Sequence, residues 1–192
     1  MYICIVLNMA STDNIIYMID FIIVNTKEDT NEFGYLLNNI VDCNVLINPS
    51  KNEVRAMLKS SQNDLVLYGH GWESGLFNVN QNGELVGENE VDMLRKRNVV
   101  GLWCYAGNFA DKYNLHGFFT SMFISSIDEA NYLQVPSTPE VIKEEVVKFN
   151  RLINELLKSH TPYSQWVEFL QKNVTPNCPV ASYNYEALSY YE

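Results

Sequence analysis

The chain has 192 residues, 47 % hydrophobic and 19 % charged, which is the balance of an ordinary globular protein and not of a disordered one. That length fits one domain over residues 1–192 with a sizeable core. A formal net charge of −10 argues against nucleic acid as a partner, and its field repels acidic peptides and anionic membranes.

The chain begins MYICIVLN, without the basic region and cleavage site of a signal peptide. Apolar runs at 2–8 and 15–24 read as strands around a polar turn, Ser11-Thr12-Asp13-Asn14. The second run is broken by Asp20 and is shorter than the about 20 apolar residues of a membrane helix. Four cysteines (Cys4, Cys43, Cys104, Cys178) follow no disulfide or zinc spacing. A cytoplasmic location with reduced thiols is the expectation.

Helical spacing follows at 31–41, a strand at 43–48, and a helix capped by Ser50. Asp64-Leu65-Val66-Leu67-Tyr68 is continuously apolar after its first residue, as in a strand of a parallel sheet covered on both faces, and runs into Gly69-His70-Gly71. Asn82-Gly83 signals a two-residue hairpin turn. A helix at about 88–97 ends in the basic cluster Arg95-Lys96-Arg97, which suits its dipole. A second buried strand, Val99-Val100-Gly101-Leu102-Trp103, ends at Cys104, and Phe118 to Ile127 fits another strand. The last third is helical: Thr138-Pro139 and Thr161-Pro162 each set a capping hydroxyl before a proline, and Ile142, Val146, Phe149, Ile153 and Leu156 form a core stripe. The tyrosine-rich tail fits either a closing strand or a loose end. The alternation implies a three-layer α/β sandwich with a mostly parallel sheet.

Two buried strands thus end in a reactive side chain with a glycine close behind. Ligands of open α/β sheets collect beyond the carboxyl ends of the strands. On neighbouring strands, His70 and Cys104 meet at that edge, with His70 as base for a thiol that is otherwise mostly protonated. Gly71 and Gly107 let a substrate approach the backbone.

The pair LVLYGHG (65–71) and VVGLWCYAG (99–107), with a hairpin and a helix between them, resembles the clan of cysteine peptidases that includes caspases, gingipains, clostripain, legumain and separase. The resemblance covers roughly residues 43–130. It implies a caspase-like fold, Cys104 as nucleophile, His70 as base, and an oxyanion site made by the amides of Gly71 and Cys104. It implies no metal or organic cofactor, a peptide or protein substrate, and room for an activating protein partner. The clan's pocket for the residue before the scissile bond maps to Phe123–Glu129, with Ser125, Ser126, Asp128 and Glu129 as candidate binding residues. A carboxylate from Asp128 or Glu129 there favours cleavage after Arg or Lys. Trp103 stands where many members have a small residue, which narrows the pocket.

Other chemistries fit less well. A metal site from Cys43, His70, Cys104 and His116 lacks close ligand spacing. A nucleophile elbow needs glycines two residues either side of the nucleophile, where this chain has Leu102 and Ala106. The rival from another class is a catalytically inactive caspase-like module that binds a peptide or protein.

Overall fold

The computed structural model describes residues 18–24, 32–78 and 83–192. The strands expected at 2–8 and the turn at 11–14 lie outside the described residues. Along the chain run β1 (Ile19–Ile23), α1 (Phe33–Leu37), β2 (Cys43–Ile47), α2 (Lys51–Ser60), β3 (Asp64–Tyr68), β4 (Gly71–Trp72), β5 (Gly75–Asn78) and β6 (Gly83–Val86). Then come α3 (Val91–Leu94), β7 (Asn98–Leu102), α4 (Ala106–Tyr113), β8 (His116–Thr120), α5 (Ile127–Tyr132), α6 (Pro139–Lys158), α7 (Trp166–Lys172), α8 (Pro179–Glu186) and β9 (Leu188–Tyr191).

Six strands form the central sheet in the order β2-β1-β3-β7-β8-β9, parallel except for β9, which runs antiparallel to β8. Side-chain alternation assigns the two faces. Leu65 and Leu67 of β3 join Val54, Leu58, Leu94 and Phe109 of α2, α3 and α4. Val66 joins Leu36, Phe149, Ile153, Trp166 and Tyr185 of α1, α6, α7 and α8. Covering both faces is what makes these strands continuously apolar. The result is a three-layer α/β arrangement with a largely parallel sheet, and the tail is its closing strand.

A second, three-stranded antiparallel sheet, β4-β5-β6, leaves the carboxyl end of β3. Asn78 pairs with Gly83, so Gly83 belongs to the ladder and not to a two-residue turn with Asn82. The ladder carries one irregularity farther from the turn, a register shift between Leu76 and Phe77.

Several expected boundaries move, each for a local reason. Helix α1 stops at Leu37 because Asn38 leaves the helical range (ψ 116°) and Asn39 takes a left-handed conformation, and Asn154 of α6 donates to the carbonyls of Leu36 and Asn38. The 88–97 segment divides into a 3-10 turn (Glu88–Glu90) and α3. Arg97 turns inward: Nη1 lies 3.6 Å from the buried Asp20, and Nη2 donates to the carbonyls of Leu58 and Ser61. It closes the C-terminal end of α2 and does not form a basic helix end. Phe118 to Ile127 is not one strand; β8 ends at Thr120, and Ser126 caps α5. Thr138 caps α6 as expected, but Thr161 caps nothing: its hydroxyl pairs with Ser159 before a 3-10 turn at Tyr163–Gln165. Ser50 forms a full capping box with Glu53.

Candidate functional site

The strand order β2-β1-β3-β7-β8 reverses direction between β1 and β3, and crevices beyond the carboxyl ends at such reversals bind ligands. Here that edge carries a cavity of ≈ 60 Å³ whose lining includes both His70 and Cys104. Register explains the meeting. Tyr68 pairs with Leu102, so His70 and Cys104 each stand two residues past paired positions on adjacent parallel strands.

Each side of the pair is held by its own scaffold. Gly69 N–H donates to Leu102 O, tying the two strand ends together. Gly69 has φ +151°, and a Cβ there would stand 2.5 Å from the carbonyl oxygen of Val24, so the close approach of β1 requires glycine. Beyond β7, the Trp103 carbonyl accepts from the Thr120 hydroxyl at 2.8 Å. Tyr105 then adopts a left-handed φ of 66°, uncommon for a bulky residue, and turns the chain into α4. Its ring packs edge-on against the exposed Trp72 with centroids 4.4 Å apart.

Gly71 lies opposite Leu76, while His70 O accepts from Phe77 N at 2.9 Å. That pattern makes Gly71 a non-hydrogen-bonded ladder position, whose N–H faces away from β5. A Cβ on Gly71 would sit 2.1 Å from Trp103 Cδ1 and 2.6 Å from Gly75 O, so the indole decides this glycine. Gly107 has room for a Cβ, with Thr120 O the nearest heavy atom at 3.7 Å, so close packing does not require glycine there. Trp103 is buried, lines the cavity and donates from Nε1 to Trp72 O.

The thiol of Cys104 faces Phe123 O at 3.6 Å and Glu129 Oε1 at 4.0 Å. Burial pushes its pKa up to about 11; the Phe123 carbonyl works the other way, and the Glu129 carboxylate adds to the rise. The start of α4 also favours a thiolate, but a helix end contributes about 0.3–1 kcal/mol, less than one pKa unit. At neutral pH this arrangement favours the protonated thiol, so attack requires a base.

The four expected binding residues divide. Ser125 is exposed and lines the cavity mouth. Ser126 caps α5 by accepting from Glu129 N, and Asp128 is exposed in the first turn, away from the cavity lining. Glu129 Oε2 accepts from both Ser125 and Ser126 N–H, which leaves Oε1 toward Cys104. Asn184 of α8 pins the loop by pairing both its amide atoms with the backbone of Ile124. His116 opens β8 and is exposed; it lines a separate surface depression near Arg95 and Asn98. Cys43 is half-buried on an edge strand and Cys178 is buried, while Cys4 lies outside the described residues.

Sequence reasoning missed the far wall of the cavity, which Tyr68, Phe149 and Asn150 supply. One signal was legible: Asn150 falls four residues after Val146, on the buried face of α6, where a polar residue is unusual.

The fold and this cavity define a three-layer α/β protein whose candidate site sits at the carboxyl edge of a largely parallel sheet. No family model, curated protein or solved structure matches the chain. Among the described residues, no group of three or more His, Cys, Asp or Glu is placed to hold a metal ion. No described helix is long and apolar enough to cross a membrane.

Proposed function

We propose that the protein is a caspase-like cysteine hydrolase acting on peptide bonds, with Cys104 as nucleophile and His70 as base. The observation that carries the reading is the convergence of His70 and Cys104, in register on adjacent parallel strands, on one cavity beyond the carboxyl ends of β3, β7 and β8. His70 takes the thiol proton as Cys104 Sγ attacks the substrate carbonyl carbon. The new C–S bond leaves an oxyanion, which the amides of Gly71 and Cys104 stabilise. Collapse breaks the C–N bond, and His70 returns the proton to the leaving amine. Water, deprotonated by His70, then attacks the thioester; the C–S bond breaks and the thiol regains its proton. Substrates with Arg or Lys before the scissile bond suit the net charge of −10 and the carboxylate of Glu129 at the site.

The raised pKa of Cys104 favours a second reading, an inactive caspase-like module that binds a peptide or protein partner. Activation by a partner reconciles the two readings if docking turns the thiol from Phe123 O toward His70. A fluorogenic peptide library separates them, with Cys104→Ala and His70→Ala as controls. Turnover lost in both variants supports the hydrolase; peptide binding that survives both substitutions, without turnover, supports the module.

A further inference from the structure

We propose that the cavity beside Cys104 seats a substrate side chain, and that Asn150 recognises an N–H donor at its tip. The inference rests on the hydrolase reading and names its substrate class: Lys, Arg or a carboxamide, in preference to acids and plain hydrocarbons.

Asn150 projects from α6 and is fully buried. Its Nδ2 donates to Glu32 O at 3.1 Å and to the Tyr68 hydroxyl at 3.2 Å. A backbone carbonyl only accepts, so the amide nitrogen must face Glu32, which fixes the orientation of the group. Oδ1 is then left buried with no hydrogen-bond partner among the described residues. Buried acceptors are rarely left unpaired, and this one belongs to a residue that lines the same cavity as the nucleophile.

The surroundings select the occupant. Val146 and Phe149 make that part of the wall apolar, so an aliphatic stem is accommodated beside them. A terminal N–H satisfies Oδ1. A terminal methyl leaves it unpaired, and a carboxylate sets acceptor against acceptor. Size adds a further limit: a cavity of about 150 Å³ admits benzene, and this one, at ≈ 60 Å³, suits a narrow tip and not a ring.

Four peptidyl chloromethyl ketones, identical except for Gln, Lys, Met or Glu beside the warhead, test the proposal by the rate of Cys104 labelling in intact-mass spectra. Gln, Met and Glu are near-isosteric, so shape is held constant. Gln and Lys reagents should label about tenfold or more faster than Met, with Glu slowest, the margin expected for a site built to pair a donor. Asn150→Leu should bring Gln and Met within about twofold of each other. Labelling of the unmodified protein by Met or Glu as fast as by Gln overturns the inference and leaves the hydrolase intact, whether or not the variant folds. Failure of every reagent to label Cys104, with no peptide turned over, removes the hydrolase reading and this inference together.

Discussion

Glu129→Gln isolates what the carboxylate does to the nucleophile. Gln serves at the third position of a capping box as Glu does, so α5 should keep its start. The carboxylate oxygen stands 4.0 Å from Cys104 Sγ. At that separation two like charges repel by about 1 kcal/mol in water and about 4 kcal/mol at an effective dielectric of 20. Glu129 is half-buried and ranks behind burial among the causes of the raised pKa, so the lower figure applies. Removing about 1 kcal/mol lowers the thiol pKa by about 0.7 unit from its value of about 11, and raises the thiolate fraction at pH 7.5 about fivefold. A less basic thiolate is also less nucleophilic, with a Brønsted coefficient of about 0.4–0.5, which trims the gain in alkylation rate to about two- to threefold. Iodoacetamide alkylation of Cys104, followed by mass spectrometry from pH 7 to 10.5, gives both the rate and the apparent pKa. The parent protein should show rates still climbing above pH 9, and the variant a profile shifted to lower pH. An unshifted or slower variant refutes the role of Glu129. A parent pKa below 8 refutes the larger claim that burial dominates this thiol.

The remaining expectations concern catalysis and scaffold. His70→Ala should lower kcat/KM for peptide hydrolysis by about 10²–10⁴ with the fold unchanged by circular dichroism, the range for loss of a general base. Gly71→Ala drives a methyl group to 2.1 Å from Trp103 Cδ1, and should cost about 1–3 kcal/mol in urea unfolding. Arg97→Leu leaves Asp20 buried without its cation and should cost about 3–5 kcal/mol, while the double variant Asp20→Leu/Arg97→Leu should recover much of that loss.

Local chemistry alone was enough to make much of this protein readable. The β3 and β7 segments could be read as covered strands because a strand buried on both faces must be apolar at every position. Ser50 and Thr138 announced their helices because a hydroxyl before a helical run satisfies an orphan N–H wherever the helix packs. The two strand-terminal residues, His70 and Cys104, were legible for the same reason: each is written next to the apolar run that carries it. Tertiary structure decided what no local pattern encodes. Arg97 left its helix for a buried aspartate 77 positions earlier in the chain, and Gly83 joined the β5–β6 ladder opposite Asn78. The cavity's far wall comes from α6, whose Asn150 reaches Glu32 across 118 positions of sequence. The state of Cys104 was likewise beyond local reading, because thiol acidity depends on what surrounds the sulfur. Burial and the carboxylate of Glu129, brought in by a separate helix, raise the pKa of this thiol, and neither is written beside Cys104 in the sequence.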